Sequence, residues 1–183
     1  VPFGGISRDG FELRDQTALL AYQRFASARW NAIMPGTVAQ VFVTFSCTET
    51  GAIPSVEDHN PAEVTGYWSF DATQRDATRA AMAGLSRVSG VIFVEITGQE
   101  AMPEVFGASG SSWGGWANYP WVSESGTDTG RMVIDMDGSF APGTNAFQVI
   151  LHEPGHARGL KHPFDGDVRL ARDLDNTSQP LMS

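Results

Sequence analysis

The sequence predicts one α/β layered domain, and three observations carry that expectation. A chain of 183 residues suffices for one compact domain with a sizeable core. Stretches with helical spacing of apolar residues alternate with short β-branched runs, the pattern of helices layered on a sheet. Turn residues separate them: the chain holds 20 Gly and 10 Pro.

Residues 13–31, "LRDQTALLAYQRFASARWN", carry Leu19, Leu20, Phe25 and Trp30 at roughly helical spacing and read as a helix. Pro35-Gly36 marks a turn. In 38–46, "VAQVFVTFS", Val41, Val43 and Phe45 alternate with Gln40, Phe42 and Thr44, giving a strand apolar on much of both faces. Asp71 and Gln74 have the spacing of a capping box, with Asp in the Ser/Thr position. They open a helix over 72–88 with Ala77, Ala81, Met82, Leu85 and Val88 as its core stripe. "VIFVEI", 91–96, and "RMVIDMD", 131–137, are further strands. The segment 107–130 is rich in Gly and Ser and includes Trp113, Trp116 and Trp121. Its centre, "GWANYPW", fits a short edge strand, where Pro120 is tolerated. From Thr144 the pattern is helical again, with Ala146, Phe147, Ile150 and Leu151 as the apolar face and Gly159 as the C-terminal cap.

Composition narrows the partners. Twelve Lys plus Arg against 21 Asp plus Glu give a net charge of −9, which disfavours nucleic acid and anionic lipid. No apolar run approaches the ~20 residues of a membrane helix. The first residues, "VPFGGISRDG", lack the basic region and apolar core of a secretory signal. The single cysteine, Cys47, excludes an internal disulfide and reads as a small buried residue. "DMDG", 135–138, and "DGD", 165–167, lack the ligand spacing of an EF-hand and read as Asp/Gly turns. His59, in "DHN", reads as a solvated histidine.

The chemistry concentrates in "LHEPGHARGLKHP", 151–163, with three of the four histidines. His152 and His156 are four apart, so a helix sets both imidazoles on one face, one turn apart. Glu153 follows the first. This is the H-E-x-x-H arrangement, in which two histidines hold zinc and the glutamate acts on water. Gly159 can take a positive φ and turn the chain, bringing His162 back as third ligand; a straight helix would carry it about 9 Å further along its axis. The complete pattern is the extended metzincin form, H-E-x-x-H-x-x-G-x-x-H. Three neutral imidazoles leave one zinc position open for water, and Glu153 is the general base. A metal-free domain with solvated histidines is the contrasting reading.

"NAFQVILHEPGHARGLKHP" resembles the active-site helix of the serralysin family, bacterial zinc peptidases among the metzincins, and Pro163 matches the proline that commonly follows the third histidine. "DLDNTSQPLMS", 173–183, resembles the segment leading to the family's Met-turn. "FDATQRDATRAAMAGLSRVSGVIFVEIT" is similar to its long helix and following strand. The resemblance covers most of 15–183 and is strongest over 144–163.

It implies a single catalytic domain over 1–183 with a zincin-like α+β fold. That fold has a twisted, mixed, mostly parallel sheet, an antiparallel edge strand and long helices. It implies zinc on His152, His156 and His162, with Met182 as a hydrophobic base beneath it. An extended protein or peptide substrate would add to the edge strand at Gly115, Trp116, Ala117, Asn118 and Tyr119. The implied protein is a secreted, extracellular monomer; calcium belongs with a C-terminal repeat domain.

Three departures stand out. Pro154 replaces a bulky aliphatic residue inside the helix, at a cost of ~3 kcal/mol or more. Arg158 replaces an apolar residue and, if buried, needs a carboxylate such as Asp165 or Asp167. The family's tyrosine two residues past the Met-turn has no counterpart, and Tyr22, Tyr67 and Tyr119 offer no substitute by position. The chain is therefore expected to be a fragment of a longer protein. A zinc-binding relative without activity, acting as a peptide-binding or scaffold module, is the alternative function.

Overall fold

A computed structural model describes residues 6–7, 10–13, 41–47, 64–97, 103–110, 112–119, 121–123, 126–128, 131–166, 168–175 and 182. The expected helix over 13–31, Tyr22, Pro35-Gly36, His59, Pro120 and Asp167 lie outside them, except that Leu13 closes a short strand.

The strands are β1 (Ile6–Ser7), β2 (Gly10–Leu13), β3 (Val41–Cys47), β4 (Gly66–Trp68), β5 (Val91–Glu95), β6 (Glu104–Ser109), β7 (Gly115–Ala117), β8 (Trp121–Ser123), β9 (Gly126–Asp128), β10 (Arg131–Ile134) and β11 (Val168–Leu170). Two helices accompany them among the described residues, α1 (Ala72–Ser89) and α2 (Asn145–His156). Neither is long and apolar enough to cross a membrane. The fold is a mixed α/β one. Its main sheet runs β5-β3-β6-β10-β7. The pairs β5·β3, β3·β6 and β6·β10 are parallel; β7 joins β10 antiparallel at the edge, and β4 pairs antiparallel with β6. The separate sheets β1-β2-β11 and β8-β9 complete it.

The alternation of the central strands sorts two cores. Met132 and Ile134 of β10, with Val105 of β6 and Phe45 of β3, face the helices and meet Ala81, Met82, Ala146 and Ile150. Val133, Phe106 and Ala108 face the other way and meet Val64, Tyr67 and Trp116. A period of two places alternate residues on opposite faces. In β3 only one expected apolar face is buried: Val43, Phe45 and Cys47 are inside, whereas Phe42 is exposed. Burial pushes the Cys47 thiol up to about 11, so it remains an inert packing group.

The α1 capping box is formed. The Gln74 N–H donates to Asp71 Oδ1 at 2.8 Å, and the Asp71 N–H donates to Gln74 Oε1 at 3.0 Å. Ala77, Ala81 and Met82 are buried as expected, and Leu85 packs against the core. Val88 is not part of the stripe: it is 83 % exposed in the last turn, where Gly90, in a left-handed conformation, swings the chain into β5. Thr78 takes a buried place instead, its hydroxyl donating to the Gln74 carbonyl at 2.9 Å. The 131–137 run is strand only to Ile134.

Candidate metal centre

Thr144 caps α2 through its hydroxyl, which accepts from the Phe147 N–H at 3.3 Å. The helix is continuous to His156 and accommodates Pro154, leaving both histidines on one face. The chain then ends the helix by a Schellman pattern. The Leu160 N–H donates to the Gly155 carbonyl at 2.9 Å and the Gly159 N–H to the His156 carbonyl at 2.8 Å. Gly159 has φ 93°, which favours glycine, and this turn returns His162 to the helix.

The result is a triangle of imidazole nitrogens. Nε2 of His152 lies 3.1 Å from that of His156 and 3.2 Å from that of His162, and the last pair is 3.2 Å apart. Among the described residues this is the one cluster of three or more potential ligands able to hold a metal ion. The outer nitrogens are anchored. His156 Nδ1 is 2.8 Å from the Leu160 carbonyl, which only accepts, so Nδ1 carries the proton and Nε2 offers its lone pair. His162 Nδ1 faces Asp165 Oδ2 at 3.2 Å. Burial, foremost, holds His156 down to about 4, so it is neutral and ready to ligate near neutral pH. Lys161, itself buried, donates to the carbonyls of His162 and Asp165 at 3.2 and 2.6 Å and fixes the loop that presents the third histidine.

Glu153 stands beside the triangle. It is 4 % exposed, and its Oε2 has no hydrogen-bond partner among the described residues. Burial alone pushes its carboxyl up to about 8. A cation held by the histidines would reverse that effect, because its charge favours the carboxylate.

The centre opens into a cleft of about 610 Å³ lined by the triad, Glu153, β7 and the α2 residues Gln148 and Val149. β7 comes close because Gly115 has no side chain. A Cβ there would lie 2.7 Å from both the Val133 carbonyl oxygen and Val149 Cγ1, and 3.3 Å from Glu153 Cγ. Comparison of the chain with protein-family models and with curated proteins gives no match. The reading of this centre therefore rests on its own residues.

Gly115, Trp116, Ala117 and Tyr119 all line the cleft. Asn118 does not: it is exposed, and its N–H is used by the Arg131 carbonyl at 3.0 Å. Tyr67 is remote, packed edge-on to Phe106. Tyr119, set aside by its sequence position, is at the triad, its ring edge-on to His156 with centroids 5.4 Å apart. Met182 is buried against Gly155, one residue before the second histidine. Arg158 is half-buried, and among the described residues no carboxylate pairs with its buried nitrogens. Its guanidinium lies 3.9 Å over the Phe93 ring, with Nε and Nη2 buried and unpartnered among the described residues. Burial lowers it to about 10, still charged at neutral pH. Asp165 belongs to His162 instead.

Sequence reasoning missed Gln148, Val149, Phe164 and the cleft role of Asp165, and gave Trp113, which flanks the edge strand, no site role. Gln148 and Val149 were legible: each lies four residues before His152 or Glu153 on the same helical face.

The Gly155–Met182 contact gives a direct test. A Cβ at 155 would overlap Met182 Sδ and lie 3.1 Å from its Cε. Gly155→Ala is expected to destabilise the chain by about 1–3 kcal/mol. Met182→Ala in the same chain should recover part of that loss, read as non-additive urea midpoints.

Proposed function

We propose that the chain is a zinc-dependent endopeptidase of the metzincin type, serralysin-like and zincin-like in fold, acting on extended protein or peptide substrates. The observation that carries this reading is the Nε2 triangle with the buried carboxyl of Glu153 beside it, its Oε2 without a partner among the described residues, in a cleft next to a sheet edge. Zinc suits the donor set: imidazoles bind it at about 2.0–2.1 Å, which separates neighbouring nitrogens by roughly 3.3 Å in a tetrahedral site. The observed edges of 3.1–3.2 Å fit one face of that tetrahedron.

When bound, zinc supplies a Lewis acid that lowers the pKa of water and polarises the scissile carbonyl. The chain's residues do the rest. His152, His156 and His162 hold the ion in their neutral forms. His156 and His162 are oriented through their Nδ1 atoms by the Leu160 carbonyl and Asp165. Glu153 takes the proton of the attacking water and returns it to the leaving amine. The edge of β7 that faces away from β10 binds the substrate main chain by strand addition, which aligns one peptide bond with the triad.

The test is cleavage of a quenched unfolded protein by the purified chain. Activity should vanish with a zinc chelator and return on adding zinc. Zinc bound in one equivalent with no cleavage would instead indicate a peptide-binding module without activity.

A further inference from the structure

The described residues expose six large apolar side chains, and three of them stand around the cleft. Trp113, 59 % exposed, and Tyr119, 39 % exposed, line it. Phe164, 51 % exposed, stacks on His162 with ring centroids 4.9 Å apart and planes 6° from parallel. Isolated exposed apolar residues are ordinary, but their concentration at the rim of a concave site with a polar floor marks a binding surface. Their positions are ordered along the edge strand. Trp113 precedes the first residue of β7 by two positions, and Tyr119 follows its last by two. Phe164 flanks the third histidine. At least two of these rings are fixed, Tyr119 edge-on to His156 and Phe164 flat on His162, so little side-chain freedom is lost when a ligand covers them.

We infer that the cleft selects extended peptides with large apolar or aromatic side chains on both sides of the bond presented to the triad. The inference rests on the peptidase reading for the kind of ligand, but its test does not depend on turnover. Fluorescein-labelled octapeptides that differ only at their two central residues (Phe-Leu, Gly-Gly or Glu-Glu) would be titrated by anisotropy against the zinc-loaded Glu153→Gln chain. The Phe-Leu peptide should bind at least about tenfold tighter than either of the others. Trp113→Ala and Phe164→Ala should each remove most of that advantage, whereas Trp113→Phe should keep it. Thermal melts of all variants would establish that each is folded.

Equal affinity for the three peptides, no binding of any, or an advantage untouched in both alanine variants would overturn the inference. Apolar-selective binding by a chain that cleaves nothing would remove the peptidase reading and leave the inference standing. Cleavage without apolar preference would do the reverse.

Discussion

Glu153→Gln is expected to abolish turnover while leaving the metal in place. Glutamine matches glutamate in shape but cannot accept the proton of the attacking water. Loss of a general base costs about 10²–10⁴-fold in kcat. Because Glu153 is not one of the three converging ligands, zinc content measured by atomic emission should remain at the level of the unmutated chain. Loss of zinc from the variant would move Glu153 from the base role into the ligand set.

The same substitution has a second, pH-dependent signature in the metal-free chain. The Glu153 carboxyl is pushed up from its ordinary 4.5 to about 8 in the fold by burial. Between those values the folded chain holds a proton that the unfolded chain has lost. Stability therefore falls as pH rises through that window, by up to about 1.4 kcal/mol per pH unit. His156 acts in the opposite sense. Its folded value is lowered from 6.5 to about 4, so the unfolded chain holds the extra proton between them and stability falls as pH drops. Of these two groups, only Glu153 changes stability with pH between 6.5 and 8. Glu153→Gln should stabilise the metal-free chain more at pH 8 than at pH 5, read from urea midpoints at the two values. An equal effect at both would mean that the carboxyl is ionised throughout.

His162→Ala is the second large effect, and it tests the turn rather than the helix. His162 reaches the other two nitrogens only because the Gly159 Schellman turn and the Lys161 contacts bring the loop back. Its removal leaves two ligands on α2, and zinc affinity should fall by well over the ~10–100-fold typical of losing an outer partner. Ligand-linked stabilisation should disappear with it. Zinc at a hundredfold excess over Kd adds about 2.7 kcal/mol to a chain that binds only when folded. The unmutated chain should melt higher with zinc, and His162→Ala should show no rise. His162 is half-buried and off the helix, so the variant should fold without metal, unlike a change at the buried His156. An undiminished zinc-dependent rise would exclude His162 from the ligand set.

Local chemistry decided what the sequence by itself determined. The capping box at Asp71, the β-branched runs of β5 and β10, the Thr144 cap and the helical spacing of His152 and His156 depend on neighbours within a few residues. The return of His162 to the other two histidines was legible for the same reason, since Gly159 supplies the positive φ that the turn requires. Pro154 carries a local cost, and the helix nonetheless continues through it with Pro154 buried.

Tertiary structure decided the rest, because it depends on which segments meet. Phe164 carries no sign in the sequence of standing beside the triad; the loop after Gly159 puts it there, and the pairing of β7 with β10 brings Trp113, which flanks that strand, to the cleft. Arg158 went to Phe93 of β5, not to Asp165, which an imidazole already holds. The unpartnered Glu153 oxygen is likewise a property of packing. Its elevated carboxyl comes from the elements that close over it and exclude water, and no spacing along the chain encodes that.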